Sequence, residues 1–215
     1  MRYVARVTPL EDAQAFELES CPPLGAVEVD RRAAVGLVLA AAVVATENVP
    51  PFDNTAVDGY ALRSGDVADV PVELRVVGEV AAGVAPTVPV ASCEAIRIMT
   101  GAPMPDGADA VVMVEDSERI GDDAVRLTRS VPAGAAVRRE GDDVCVGDEL
   151  FAAGTTITPA VAAVLASVNA ERVHVHRRAR VAVLSTGDEL VDDGSPLRVG
   201  QIRESNKTML AALLA

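Results

Sequence analysis

Tryptophan is missing from this 215-residue sequence, and Phe and Tyr bring the aromatic share to only 2%. A core must therefore be built from Val, Ala and Leu rather than from rings. Basic residues are also scarce: 19 Lys and Arg stand against 32 Asp and Glu, for a formal net charge of −13. Nucleic acid and anionic membranes both need a basic face, so neither is expected as a partner. Only three cysteines occur, Cys21, Cys93 and Cys145, far apart and with no CxxC pair. That argues against a disulfide scaffold or a zinc module and suits a reducing, cytoplasmic setting. The cysteines are read as small apolar packers. The longest apolar run, Ala33 to Ala45, covers 13 residues, too short to span a bilayer. The opening MRYVARVTPLEDAQ turns charged before any apolar run develops, unlike a secretory signal.

What is present is apolar material, 50% of the chain, enough for one large domain or two small ones at roughly 150 residues per domain. Thr8-Pro9-Leu10-Glu11 predicts a helix start, with Thr8 as cap, Pro9 at the first helical position and Glu11 as the capping-box acid. Pro22-Pro23 ends that helix after about Ser20. Asp30 is read as the cap of a second helix over 31–42, with Gly36 allowing tight packing. Pro50-Pro51 forms a rigid extended hinge. From about 62 to 131 the texture changes. Val-rich runs at 72–80, 95–99, 109–115 and 124–128 alternate with Gly, Pro and Asp clusters, the pattern of a small antiparallel barrel or sandwich inserted between helical segments.

Thr158-Pro159 predicts a helix to about Ser167. Arg172 to Arg177 alternates as a half-exposed strand, with both histidines, His174 and His176, facing solvent. Val181 to Leu184 reads as a buried strand that breaks into Ser185-Thr186-Gly187-Asp188-Glu189, as doubly wound sheets present ligand sites. Ser205 or Asn206 caps a last helix over 207–215. One buried strand and one helix cannot cover each other, so the expectation is a fragment or a piece that docks elsewhere.

Four constellations offer chemistry, each beside a plainer alternative. Pro50 to Ala61 holds Asp53, Asn54, Thr55 and Asp58 on a stiff loop closed by an Asp-Gly turn. Such carboxylates hold Mg²⁺ or orient water, or simply cap a turn. Arg97 to Gly107 ends a strand in Thr100-Gly101, a point that binds an oxyanion or merely connects a hairpin. Arg138 to Asp143 sets Asp142 and Asp143 after a glycine, as in a metal site or a solvated charged turn. Ser185 to Glu189 offers paired acids for a metal bridging a phosphate ester. Ser205 and Asn206 add the N–H groups of a helix start.

In this order, PPFDNTAVDGYA, RIMTGAPMPDGADAVVMVE, VRREGDD and VAVLSTGDEL resemble the molybdopterin molybdenumtransferases, which include the bacterial MoeA enzymes and the E domain of gephyrin. The resemblance runs from the TPLEDA helix to GQIRESN and implies a multidomain α+β fold. An elongated helical/linker domain (1–47 and 140–176) would carry an inserted small all-β, barrel-like domain (48–139). The first βα portion of an α/β pterin-binding domain (177–215) would follow. It also implies Mg²⁺-dependent insertion of molybdate into adenylylated molybdopterin with release of AMP. The partners implied are a second copy in a homodimer and, as a candidate, the molybdopterin adenylyltransferase. Carried over by residue, Asp58, Thr100 and Glu189 are the catalytic set. Ser185, Thr186, Gly187, Asp188, Ser205 and Asn206 line the pterin phosphate side. Asp58, Asp142, Asp143 and Glu189 are the metal acids. The family's later Gly-Gly-x-Ser loop, molybdate-side segment and fourth domain are not in the sequence, so a truncated, inactive form is expected. The alternatives are a non-catalytic dimeric scaffold or pterin-binding module, or a general phosphate-binding α/β protein resting on the Ser185–Glu189 loop alone.

Overall fold

Runs of Val, Ile and Leu become strands where both of their faces can be covered. The computed structural model describes residues 8–214. The reading of residues 1–7 as free of a secretory signal lies outside them. In chain order the elements are α1 (Leu10–Ser20), β1 (Ala26–Asp30), β2 (Val43–Val44), β3 (Asn54–Thr55), β4 (Gly59–Leu62), β5 (Val72–Val80), β6 (Glu94–Ile98), β7 (Ala110–Met113), β8 (Ser117–Ile120), β9 (Ala124–Leu127), β10 (Val137–Arg138), β11 (Glu149–Phe151), α2 (Pro159–Ser167), β12 (Arg172–His176), β13 (Leu190–Val191), β14 (Ile202–Arg203) and α3 (Asn206–Leu213). Contacts divide the described residues into two compact units, 28–175 and the pair of segments 8–27 and 176–214. The fold is α+β.

In the 28–175 unit the core is a six-stranded sheet in the order β7-β4-β6-β5-β9-β8. Its strands are the predicted Val-rich runs plus β4 and β8. The sheet is mixed rather than antiparallel throughout, because β5 and β6 pair in parallel. The 81–92 connection carries the chain back to the end of the sheet where β5 begins, which a tight hairpin could not do. Successive side chains fall on opposite faces, and both faces are buried. Tyr60, Leu62, Ala95 and Val112 pack on one side with Val67, Leu74, Val125 and Leu127. Ala61, Ile96, Ile98 and Val111 pack on the other with Val80, Val90 and Ala102. Two-sided burial explains why β7 reads as a continuous apolar run instead of an alternating one.

Around this sheet, short pairs tie the flanking segments together: β2 with β11, β3 with β10, and β1 with β12. The helix expected over 31–42 does not form. Asp30 Oδ1 accepts the Arg32 N–H at 2.8 Å and caps a turn. Downstream backbone groups bond far away: Gly36 N–H to Ile157 O (2.8 Å), Leu39 N–H to Thr155 O (2.9 Å) and Ala40 N–H to His174 O (2.8 Å). Non-local ladder bonds outcompete the helix propensity of the alanines. The predicted helix at Thr158 is present, and the Thr158 hydroxyl accepts the Val161 N–H at 3.2 Å. β12 alternates as expected, with Val173 and Val175 buried and His174 exposed. His176 is half-buried, with Nδ1 2.7 Å from Leu24 O, rather than facing solvent. The three cysteines are free and exposed, not packed as small apolar groups.

In the other unit, α1 starts at Leu10 with Pro9 at its cap and no side-chain capping bond, so the Thr8 capping box is not made. The buried strand expected at Val181–Leu184 is not formed either. Val181 and Leu184 are exposed, and no regular element covers them. The strand present is β13, two residues long, paired in parallel with β14. α3 runs Asn206–Leu213, with Ser205 at its cap but no side-chain bond. Ala215, placed in this helix by the sequence, lies outside the described residues.

Candidate active site

Three of the four motifs meet in the 28–175 unit. β3 lies against β10, with Thr55 opposite Val137 and Asn54 opposite Arg138. On its other side the Thr55 N–H bonds to Ala102 O (3.1 Å), and Gly101 and Met104 donate to Thr55 O and Asp53 O, both at 2.9 Å. β3 is thus a short rail between the Thr-Gly turn and the Arg-Arg segment. The Asp53 carboxylate locks that second junction. It accepts the Glu140 N–H at 2.8 Å and the Arg139 guanidinium at 2.5 Å. Both donors hold its pKa below the ordinary carboxylate value, the Glu140 N–H most of all.

Asp58 stands just before β4. β4 is paired with β6 so that Gly59 faces Ile98. The ladder stops there, and the Thr100 N–H beyond it is not used in the sheet. The Asp58 carboxylate takes it: Oδ1 accepts the Thr100 N–H and the Thr100 hydroxyl, each at 2.7 Å. The Thr100 N–H, then its hydroxyl, then the charge of Arg97 lower the Asp58 pKa. Asp58 and Thr100 are both exposed, so the pair is presented to solvent. Gly59 follows for a packing reason, not for the expected Asp-Gly turn. A Cβ there would lie 2.2 Å from Val112 O on β7. Next to the pair opens a cleft of about 610 Å³ whose lining includes Tyr60, Val76, Glu79, Arg97, Met99 and Arg119.

The remaining acids have other work. Asp142 accepts the Arg139 N–H at 2.6 Å, and Asp143 pairs with Arg138. Among the described residues, no group of three or more His, Cys, Asp or Glu side chains could hold a metal ion. Mg²⁺ typically takes one or two carboxylates and fills the rest of its shell with water and substrate phosphate oxygens. Asp58 fits as one such ligand, whereas Asp142 and Asp143 are committed to arginine and backbone.

The fourth motif belongs to the other unit. Ser185, Thr186, Gly187, Asp188 and Glu189 are all exposed. Glu189 folds back over Gly187, where a Cβ would come within 2.6 Å of both carboxylate oxygens. The Glu189 carbonyl accepts the Ile202 N–H at 2.8 Å, which joins this loop to β14 and the Ser205-Asn206 helix start. Lys207 there is already engaged, with Nζ 2.9 Å from Asp192 and its N–H on Glu204 at 2.7 Å.

The sequence did not mark Asp53 as the partner of Arg139. The two are 86 positions apart, and only their repeated Asp/Arg chemistry hinted at it. The sequence places Asn54 in its loop's polar set but does not disclose that its buried Oδ1 has no hydrogen-bond partner among the described residues.

Residues 8–169 match the family described as MoeA N-terminal region (domain I and II). The chain is 42% identical over 199 residues to molybdopterin molybdenumtransferase 2 of Mycobacterium tuberculosis, which covers 91% of this chain and 48% of that protein. It is 44% identical over 190 residues to molybdopterin molybdenumtransferase of Nostoc, covering 86% of this chain and 43% of that protein. The crystal structure of a molybdopterin biosynthesis moeA protein from Pyrococcus horikoshii superposes with a TM-score of 0.90 at 34% identity, over 97% of this chain and 57% of that one. The chain spans about half the length of the curated relatives it matches. With three motifs joined as described and the family matched over most of its length, this chain belongs to the MoeA N-terminal region family.

Proposed function

We propose that the chain acts in molybdenum cofactor biosynthesis as the N-terminal part of a molybdopterin molybdenumtransferase, on adenylylated molybdopterin and molybdate. The observation that carries this reading is the Asp58–Thr100 pair, a solvent-facing carboxylate fixed through one oxygen by two hydrogen bonds. Cleaving an adenylyl linkage adds a water oxygen to phosphorus and releases AMP. It needs a positioned water and compensation of phosphate charge. A carboxylate with a lowered pKa is a weak base near neutrality. Asp58 therefore orients the water as an ionised acceptor rather than removing its proton. The Thr100 hydroxyl keeps the carboxylate in one rotamer. Mg²⁺, when bound, would supply the charge compensation at the phosphates, with Asp58 as a ligand.

The proposal keeps the three-part division at 1–47 with 140–176, 48–139 and 177–215, and a cytoplasmic homodimer. Glu189 of the partner subunit is the second acid. Ser185, Thr186, Gly187, Asp188, Ser205 and Asn206 are assigned to the phosphate side of the pterin. The molybdopterin adenylyltransferase is a candidate donor of the substrate.

Calorimetric titration with adenylylated molybdopterin and Mg²⁺, alongside an AMP-release assay, tests this reading. Asp58→Asn is expected to weaken metal-dependent binding about tenfold, the equivalent of 1.4 kcal/mol. Identical binding by wild type and Asp58→Asn would overturn the assignment of Asp58. A second reading, a dimeric scaffold without turnover, is favoured by α1, which buries none of its residues and exposes Leu10, Phe16 and Leu18. Dimerisation with no pterin or nucleotide binding would select it.

A further inference from the structure

We propose that Arg97 is a positioning residue for the Asp58–Thr100 pair, acting from the strand that leads into the Thr100 turn onto the backbone that carries Asp58. Its role rests on the reading of that pair as functional, and it adds a residue that no part of that reading uses. β6 and β4 are antiparallel with Arg97 opposite Tyr60. From there the guanidinium reaches along β4 in two ways. Nη1 donates to Gly59 O at 2.9 Å, and Cζ sits 5.3 Å from the centroid of the Tyr60 ring. Gly59 is the residue after Asp58, so the carbonyl that Arg97 holds belongs to the peptide next to the functional carboxylate.

The bond to Gly59 O is a side-chain bond added to the regular ladder at the point where that ladder ends. The Asp58 main chain is held from the opposite edge as well, where the Val114 N–H donates to Asp58 O at 3.1 Å. Thr100 then closes on the carboxylate from three residues beyond Arg97. β6 and the turn that follows it thus supply two grips on one turn, a cation on its backbone and a hydroxyl with an N–H on its side chain. Arg97 is half-buried and stacked on a buried ring, so its charge is partly shielded from water and its position is set.

The other arginines near the motifs, among the described residues, have partners of their own. Arg138 and Arg139 are paired with Asp143 and Asp53 on the far side of β3. The remaining charged groups on an element packed against Asp58 are acids, Glu115 and Asp116 in the 3-10 turn after β7, and Asp116 is paired with Arg129. Arg119, which lines the same cleft, donates its guanidinium to the Gly121 and Asp122 carbonyls, so Arg97 is left to hold the Asp58 turn in register with Thr100.

The test uses the ligand-free chain, so it is independent of whether any pterin binds. Three-bond scalar couplings follow the Asp58 χ1 rotamer, and hydrogen exchange follows the Thr100 amide, in wild type, Arg97→Lys, Arg97→Gln and Arg97→Met. Expected is rotamer averaging at Asp58 in Gln and Met. Thr100 exchange should be faster by about tenfold in Met, the loss of roughly one charge-assisted hydrogen bond. Lys should return both readings toward wild type. An unmoved Asp58 rotamer and Thr100 amide in Arg97→Met, with only global stability lowered, would reduce Arg97 to packing on Tyr60 and overturn the proposal. Should these readings move as expected while Asp58→Asn leaves ligand binding intact, Arg97 positions a pair whose function has been misassigned.

Discussion

The two units use the same apolar residue types to opposite effect. In the 28–175 unit, Leu62 and Ile98 are 0% exposed between two clusters that cover both faces of the sheet. In the other unit, Leu184 is 86% and Leu213 76% exposed, and the β13–β14 pair is two residues long. Burial, not composition, makes an apolar residue stabilising, at roughly 25 cal/mol per Å² removed from water. The largest expected effect follows from that contrast. Leu62→Ala should lower unfolding stability by about 2–5 kcal/mol, while Leu184→Ala should stay within about 0.5 kcal/mol. Urea denaturation of both variants measures the difference, and equal losses would erase the distinction between the units.

Gly59 sharpens the contrast at one atom. Gly59→Ala drives a Cβ into Val112 O, and a rigid ladder cannot yield by much. A loss of about 1–3 kcal/mol is expected, in the range for overpacked sites. Gly65→Ala is the control, since nothing lies within 4 Å of a Cβ there. Thermal unfolding of the pair decides the point, and a neutral Gly59→Ala would mean that β4 and β7 shift apart freely.

The same contrast explains what the sequence disclosed and what it hid. Signals that a few neighbouring residues satisfy were legible. Thr158 caps its own helix, and the alternation of Val173, His174 and Val175 marks a strand whatever its partner. Signals that depend on distant partners were not. The alanines of 31–42 favour a helix, but the backbone there pairs with residues near 155 and 174. The parallel pairing of β5 with β6 is likewise set by the route of the 81–92 segment rather than by any local preference. Val181–Leu184 has the composition of a buried strand and is exposed. For the candidate site, the motifs were readable as chemistry. The link between Asp58 and Thr100, 42 positions apart, came to the sequence reading only through resemblance, whereas the paired acids of the Ser185–Glu189 loop were read from the residues and only their separate roles came through resemblance.

Ion pairs should rank next. Asp53 accepts both a backbone N–H and a guanidinium while its side chain is 38% exposed. Asp53→Ala is expected to remove about 1 kcal/mol, reduced from the value of a fully buried charged hydrogen bond by solvent screening. Asp192, which pairs with Lys207 from a more exposed position, should contribute about 0–0.5 kcal/mol when replaced by Ala. Chemical denaturation at low and high salt separates the two. A larger loss for Asp192→Ala would show that pairing, rather than the joining of distant motifs, sets the effect.

The smallest effect is expected from acid. Both units hold carboxylates below their ordinary pKa: Asp53 and Asp58 in one, Asp193 and Glu204 in the other. A carboxylate with a lowered folded-state pKa contributes stability that is complete above its unfolded value, near 4. That contribution is lost as pH falls through the lowered folded value, because the unfolded chain binds the proton first. The sign is therefore the same for all four, but the reach should differ. Asp53 and Asp58 tie β3, β4 and the Thr100 turn to the sheet, so their protonation should move the global unfolding midpoint. Asp193 and Glu204 are held by partners within the smaller unit, the Ser195 N–H for one and the Lys207 N–H and Ser185 side chain for the other, so their protonation should open structure there alone. Urea midpoints between pH 5.5 and 2.5 should fall less steeply in Asp53→Asn/Asp58→Asn than in wild type, and equally steeply in Asp193→Asn. If Asp193→Asn flattens the profile as much, acid acts on both units alike, and the sheet is not where the chain keeps its cooperative stability.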